Sequence, residues 1–266
     1  MPYVTSAGVP IFYKVVGEGF PVVLHTGGGG DGSMWEQGGY VAGLEGFQRI
    51  LLDHRGHGRS GKPTTTEAHG KERYVADVIT VLDALGIEHA AFWGYSSGAA
   101  VGYALASMHP ERIVAFVAQG AIGGGDNDTP ENQADAERMA QIARERGVGG
   151  FVEGAFEAGE VPEWFMEQMR RTDGEMFALQ VLGSVTWHGP WSVLGGIKCP
   201  VLMLVGERED PEGDNPSAAA QIANATCVSF PGLGHLGAYV RSDLALGEAI
   251  PFLQRAAQGE GVVADS

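Results

Sequence analysis

The chain is poor in cysteine, in basic residues and in long apolar runs, and each scarcity excludes a class of protein. Two cysteines in 266 residues are too few for a disulfide framework or a zinc cluster. The 17 lysines and arginines stand against 33 acidic residues, and a net charge of −16 repels nucleic acid and anionic membranes. No apolar run approaches the roughly 20 residues that cross a bilayer. We therefore expect a small-molecule partner and no nucleic acid or membrane.

The start of the chain, MPYVTSAGVPIFYK, lacks the basic-then-apolar order of a secretory signal, so we expect a cytoplasmic protein. Hydrophobic residues at 44% and charged residues at 19% are typical of a globular protein. A chain of this length suffices for one large core, or for one core with an inserted lobe. Composition leaves the oligomeric state open.

Short apolar runs bounded by glycine-rich loops recur along the chain, and they predict strands that are buried on both faces. Apolar residues at helical spacing over 72–85, and a small-residue stretch over 97–108, predict helices between these strands. The alternation indicates an α/β fold with a mostly parallel, doubly wound sheet. A hairpin around Ala7-Gly8 is expected to open it. The predicted parallel strands cover 21–25, 48–53, 90–94, 112–120, 200–206 and 226–230.

One region interrupts this alternation, because no strand pattern occurs between about Gly123 and Gly196. Three helical patterns occupy it, over 130–147, 162–171 and 173–187. We expect residues 1–122 and 197–266 to form the core, and residues 123–196 to form a helical lid over the carboxyl ends of the strands.

The segment GYSSG, residues 94–98, lies where a predicted strand turns into a predicted helix. A serine at such a turn is presented at the edge of the sheet, and glycines on both sides avoid collisions with the neighbouring elements. Ser96 is therefore the candidate nucleophile. A serine hydroxyl needs a base, and His235 follows the last predicted strand in the glycine-rich segment FPGLGHLG.

The base in turn needs an acid that fixes its tautomer. Glu207, Glu209 and Asp210 follow the strand VLMLVG in quick succession. The shorter side chain of Asp210 would hold a carboxylate with less freedom than that of Glu209. Since adjacent residues of an extended segment point in opposite directions, one of the two is expected to face His235.

Four separated segments occur along the chain in the order LHTGGGG, DHRGHGRS, GYSSG and GLGH. In these segments and their order, the chain resembles the α/β-hydrolase fold family over nearly its whole length. The resemblance implies an acid three residues after Gly206, which is Glu209; Asp126, after an earlier strand, is a third candidate. It also implies an oxyanion hole made by the N–H groups of Gly27 and Ser97. The chain has Thr26 where the family commonly has glycine.

Aromatic residues of the predicted lid are expected to form its own core in most cases, with some facing an apolar substrate. Tyr95, Trp164 and Trp187 are the predicted pocket residues. The glycine run 27–30 lacks the lysine of a phosphate-binding loop, and DHRGHGRS is expected to shape a tight loop rather than to bind a metal.

These patterns predict a hydrolase, without metal or other cofactor, that cleaves a small, largely apolar carboxylic ester or lactone. The same residues are compatible with a carbon–carbon bond hydrolase, a perhydrolase or a cofactor-free oxygenase. A non-catalytic ligand receptor on the same frame is a further alternative.

Overall fold

A computed structural model describes residues 2–120, 129–156, 161–187 and 189–259. Its centre is an eight-stranded sheet. The strands are β1 (Tyr3–Ser6), β2 (Val9–Val16), β3 (Phe20–His25), β4 (Phe47–Asp53), β5 (Ala90–Tyr95), β6 (Ile113–Gln119), β7 (Val201–Gly206) and β8 (Ala225–Phe230). Their order in the sheet is β1-β2-β4-β3-β5-β6-β7-β8. The strand β2 pairs antiparallel with β1 and β4, and the other neighbouring strands pair in parallel.

The helices cover both faces of this sheet. They are α1 (Ser33–Gln37), α2 (Tyr40–Gly43), α3 (Lys71–Ala84), α4 (Ser97–Met108), α5 (Pro130–Ala155), α6 (Glu163–Arg171), α7 (Gly174–Ser184), α8 (Asp214–Ala219), α9 (His235–Val240) and α10 (Ser242–Ala257). One apolar cluster packs α1, α2, α9 and α10 on one face, and a second cluster packs α3, α4 and α8 on the other. The predicted α/β-hydrolase architecture is therefore confirmed.

Alternate side chains of the central strands face opposite apolar clusters, as the period of a strand requires. Val22 and Leu24 lie in the first cluster, and Val23 between them lies in the second. The opening hairpin turns at Ala7 and Gly8, which both have positive φ, 48° and 79°. Glycine adopts this conformation freely, and alanine does so at a cost that the hairpin must offset.

The helices α5, α6 and α7, here called the helical insertion, lie between β6 and β7 in the chain. The α5 helix runs eight residues past the predicted end at Gly147, which has a φ of 72° and kinks it. The helix resumes because Val148 and Val152 beyond the kink are buried in the first apolar cluster. The boundary predicted at residues 122 and 123 lies outside the described residues, and the division into core and lid stays a prediction.

Across the described ranges, no helix combines the length and the apolar character needed to cross a membrane. Both cysteines are free. Cys199 is buried, whereas Cys227 is half-buried because β8 is the edge strand of the sheet.

Candidate active site

Ser96 occupies a strained turn between β5 and α4. Its backbone has φ 54° and ψ −121°, a conformation that non-glycine residues seldom adopt. The Ser96 N–H donates to the carbonyl of Gln119 at 2.8 Å, which fixes the turn against β6. A side chain at Gly94 would collide with the backbone of Gly98, and one at Gly98 would collide with the carbonyls at the end of β3. Both flanking glycines are thus required by close approach of the backbone.

His235 reaches the serine from the first residue of α9, directly after the loop that follows β8. Its Nε2 lies 3.0 Å from Ser96 Oγ, within hydrogen-bond distance. Its ring stacks on the Tyr95 ring with centroids 5.1 Å apart, and Tyr95 stacks in turn on Tyr239 at 4.2 Å. The stacked rings restrict the imidazole to the plane in which it meets the serine.

Glu209 supplies the carboxylate on the far side of the imidazole. Its Oε2 lies 2.5 Å from His235 Nδ1, and its Oε1 accepts the Gly206 N–H at 2.5 Å. The backbone bond leaves the carboxylate little freedom. In a neutral imidazole this contact places the proton on Nδ1 and leaves Nε2 free to accept the serine proton.

Asp210 points elsewhere, although the segment is not extended as predicted from the sequence, because Glu207–Glu209 form a short 3-10 turn. Its carboxylate accepts the N–H groups of Asp214 at 2.7 Å and Asn215 at 3.2 Å, at the start of α8. It therefore caps a helix and does not contact His235. The third candidate, Asp126, lies outside the described residues. The structure thus brings Ser96, His235 and Glu209 together.

The two predicted oxyanion donors lie beside the serine. Ser97 is the first residue of α4, so its N–H has no acceptor within the helix. The Gly27 N–H has no hydrogen-bond acceptor among the residues that the structure describes. An added Cβ on Gly27 would lie 3.0 Å from Ser96 Cβ, so residues 26–30, here called the oxyanion loop, approach the serine closely.

A cavity of about 280 Å³ opens above Ser96. Ser96, His235 and Gly27 form its floor, and apolar side chains of the helical insertion form its walls. Tyr95 borders it as predicted. The apolar wall includes Val148, Phe151, Val152, Phe165, Met169, Phe177 and Val181.

The other two predicted pocket residues, Trp164 and Trp187, do not line this cavity, and their contact with a substrate stays a prediction. Trp164 precedes Phe165 on α6, and consecutive helical residues point about 100° apart, so only Phe165 faces inward. Trp187 lies beyond the end of α7 and packs with the second apolar cluster, its ring 5.8 Å from Lys71 Nζ.

The sequence reasoning missed the buried polar groups behind the oxyanion loop. The rings of His25 and His54 stack with centroids 5.3 Å apart, and His57 lies 4.2 Å from His54. Burial lowers the pKa of His25 and of His57 to about 4, and it lowers the pKa of His54 well below the usual value. These imidazoles are therefore neutral at pH 7. Gln180 of α7, which also lines the cavity, has its amide nitrogen 3.2 Å from His54 Nε2.

The DHRGHGRS segment shapes the adjoining loop. Asp53 accepts the N–H groups of Gly32 and Arg59, each at 2.9 Å, and Arg55 forms a two-pronged ion pair with buried Asp77 at 2.8 and 2.5 Å. Within the described residues, no three histidine, cysteine or acidic side chains come together as a metal site would require. Independence from metals and other cofactors stays a prediction.

The sequence of the chain also matches a family model. The model, described as alpha/beta hydrolase fold, covers residues 21–164, more than half of the chain. The chain belongs to the α/β-hydrolase family. A non-heme chloroperoxidase of Streptomyces lividans is 29% identical over 255 residues, 87% of this chain and 91% of that protein.

Another relative matches a shorter stretch of this hydrolase-fold chain. RutD of Caulobacter sp. (strain K31), to which a carbamate hydrolase activity is ascribed, is 31% identical over 131 residues. The match covers 49% of this chain and 47% of that protein, so the chain spans about half the length of this relative.

Two solved structures share the fold over nearly the whole chain. The enol-lactonase from Burkholderia xenovorans LB400 has a TM-score of 0.81 at 25% identity, with 95% of this chain and 100% of that chain covered. A thermophilic esterase from Thermogutta terrifontis has a TM-score of 0.83 at 22% identity, with 96% and 97% covered. The second likeness concerns the fold alone.

Proposed function

We propose that the protein is a serine hydrolase that cleaves a small, largely apolar carboxylic ester or lactone through an acyl-enzyme. The observation that carries the proposal is the continuous chain of contacts from Ser96 Oγ to His235 Nε2, at 3.0 Å, and from His235 Nδ1 to Glu209 Oε2, at 2.5 Å. This chain ends at the floor of an apolar cavity. A nucleophile, its base and an orienting acid are what acyl transfer requires.

In this mechanism Ser96 Oγ attacks the carbonyl carbon while His235 Nε2 takes the serine proton. The N–H groups of Gly27 and Ser97 donate to the developing oxyanion, and each such donor contributes about 3–4 kcal/mol to transition-state stabilisation. The intermediate collapses, the C–O bond breaks, and His235 returns the proton to the leaving alcohol. Water, deprotonated by His235, then attacks the acyl-enzyme, and Ser96 leaves with the proton.

The substrate class follows from the cavity. Its volume of about 280 Å³ is at the lower limit of small-molecule sites, and its walls are apolar side chains of the helical insertion. A short acyl group or a small lactone ring fits these dimensions. The likeness to an enol-lactonase at 25% identity supports the same class.

The likeness to a non-heme chloroperoxidase favours a second candidate function. In a perhydrolase, hydrogen peroxide takes the place of water: its oxygen attacks the acyl-enzyme, Ser96 leaves with the proton, and a peracid is released. Both candidates share the acyl-enzyme, so they differ only in the nucleophile of the second step. The cytoplasmic location stays a prediction beside them.

The test is a panel of aryl esters and lactones of increasing acyl length, assayed with the wild type and with Ser96→Ala. We expect Ser96→Ala to lower kcat by about 10⁶-fold, since removal of a triad nucleophile has an effect of that size. Ser217→Ala, which removes an exposed hydroxyl on α8, is the matched control and should act like the wild type. An organophosphonate should label Ser96.

Undiminished hydrolysis by Ser96→Ala, or labelling at another residue, would contradict the proposal. A panel repeated with added hydrogen peroxide separates the two candidates, because only the perhydrolase forms peracid faster than acid. Turnover must exceed one product per protein molecule, which a ligand receptor would not achieve.

A further inference from the structure

Among the residues that the structure describes, the hydrogen bonds from the helical insertion to the oxyanion loop meet at Gly29. Its N–H donates to Gln180 Oε1 at 3.3 Å, and its carbonyl accepts from Thr172 Oγ1 at 2.6 Å. Both backbone groups of a loop residue two positions from Gly27 are therefore held by side chains of the insertion. The Gly29 N–H also assigns the orientation of the Gln180 amide, because only its oxygen can accept.

The other half of the Gln180 amide faces His54. Its Nε2 lies 3.2 Å from His54 Nε2, and an amide nitrogen only donates, so His54 Nε2 must be the unprotonated acceptor. The single proton of this neutral, buried imidazole then lies on Nδ1. His54 Nδ1 is 3.4 Å from Thr26 Oγ1, so it donates to the threonine hydroxyl.

Thr26 is the residue that departs from the family pattern, and its hydroxyl has a role in this arrangement. It precedes Gly27, whereas Gly29 follows two residues later, so the two anchored residues bracket the candidate oxyanion donor. Gln180 reaches both of them, one directly and one through His54. Thr26 and His54 are 1% exposed and Gln180 is 6% exposed, so water competes little for these bonds.

We propose that Gln180 is a positioning residue that fixes the Gly27 N–H for the oxyanion, through Gly29 on one side and through His54 and Thr26 on the other. The inference rests on the proposed function, because an oxyanion donor has a role only when a carbonyl is attacked. It assigns part of the catalytic geometry to the helical insertion. An oxyanion donor acts mainly in the transition state, so its misplacement lowers kcat and changes KM little.

Two variants interrupt the two sides. Gln180→Leu removes the amide bonds to Gly29 and His54 at nearly constant volume, together with a longer contact of 3.5 Å from the amide nitrogen to Ser97 Oγ. Thr26→Val leaves the Ser97 contact in place and removes the hydroxyl from a residue that does not line the cavity. Each should lower kcat about tenfold with KM within about twofold, since small misplacements of a catalytic group have such effects. Gln141→Leu, on the exposed side of α5, is the matched control and should equal the wild type.

If Gln180 acts through His54 and Thr26, two further measurements on these variants should agree with the kinetics. Affinity for an aryl trifluoromethyl ketone, which forms a tetrahedral adduct, should fall by the same factor as kcat. Thr26→Val should have little additional effect in the Gln180→Leu background, because residues of one network are not additive. If Gln180 acted only by touching the substrate, Thr26→Val would leave kcat unchanged and the effects would add.

Hydrogen exchange supplies a measurement that does not depend on turnover. Amides of residues 26–30 should exchange about tenfold faster in both variants, which corresponds to the loss of about one hydrogen bond, and not in Gln141→Leu. Unchanged exchange in Thr26→Val, or a wild-type kcat in Gln180→Leu, overturns the inference. The proposed function is still supported in that case if Ser96→Ala abolishes activity. If the loop amides exchange faster in both variants but Ser96→Ala keeps full activity, the proposed function is overturned, whereas the role of Gln180 in holding residues 26–30 is supported.

Discussion

The strand ends of the sheet and the helical insertion meet at one cavity, yet they contribute different kinds of contact. Ser96, Glu209 and His235 follow β5, β7 and β8, and each makes a directed polar contact of 2.5–3.0 Å. The insertion contributes mostly apolar walls, such as Phe177 and Met169. A hydrogen bond is lost when one donor or acceptor atom is replaced, whereas replacing one apolar side chain changes only the volume and shape of the cavity. Apart from Gln180, we therefore expect substitutions in the insertion to alter the accepted substrate size more than the reaction itself.

The largest effect is expected at the strand ends, where two neighbouring acids have different partners. Glu209→Gln should lower kcat by about 10⁴-fold, because the amide disfavours the imidazole tautomer that accepts the serine proton. Asp210→Asn should stay near wild type, since asparagine caps a helix about as well as aspartate does. Steady-state kinetics on one aryl ester measures both.

The opposite result, a collapse in Asp210→Asn with an active Glu209→Gln, would show that the acid is Asp210. If neither variant loses activity, Asp126→Asn becomes the variant to measure.

The buried histidines beside the strand ends should make the unfolding free energy fall at acid pH. His25 and His57 have pKa values lowered by burial to about 4, so the native state stays unprotonated where an unfolded histidine, with a pKa of about 6.5, binds a proton. Unfolding then takes up protons, and stability is lost as pH falls from about 6.5 toward 4. Each histidine should lower the unfolding free energy by about 2 kcal/mol at pH 5 relative to pH 7.

Urea unfolding at several pH values measures this slope. His57→Gln should make the slope shallower, whereas His89→Gln, at an exposed site, should leave it unchanged. A wild-type slope in His57→Gln would show that its protonation is not linked to unfolding.

A change in the insertion should alter selectivity more than chemistry. Val181 faces the cavity from α7, and Val181→Phe fills part of it. We expect kcat/KM to fall about tenfold for an ester with a long acyl chain and to change little for an acetate, since a few methylene groups account for such ratios. Leu182→Phe, on the next position but outside the lining, is the control. Equal losses for both esters would mean that the substitution disturbs the triad.

The smallest effect is expected at the start of α7. Asp173 Oδ1 accepts the N–H groups of Glu175 at 3.1 Å and Met176 at 3.3 Å, so it caps the helix. Asp173→Ala should reduce the unfolding free energy by about 1 kcal/mol, as loss of a cap does. Thermal unfolding measures it, with Asp135→Ala inside α5 as the control. A similar loss in the control would assign the effect to surface charge.

Local chemistry explains why the sheet and the serine were predictable from the sequence. Buried parallel strands leave continuous apolar runs such as PVVLH, and the helix predicted over 97–108 has those bounds in the structure. The glycines of GYSSG are required by backbone contacts within the turn and with one neighbouring strand. Fixed family spacing after Gly206 gave Glu209 as the first choice, and the structure places this carboxylate at His235.

Other features depended on where distant segments meet. Chain order alone did not separate Glu209 from Asp210, because the choice follows from α8 using the Asp210 carboxylate as a cap. The position of Trp187 in the sequence did not show that its side chain packs against the second apolar cluster and not at the cavity, because the backbone beyond the end of α7 determines where it points. The sequence determined the strand-end chemistry, because each residue follows its own strand with a local signature. Only the tertiary structure decided that Gln180 meets Gly29 and His54, because packing of the insertion against the sheet brings these three residues together.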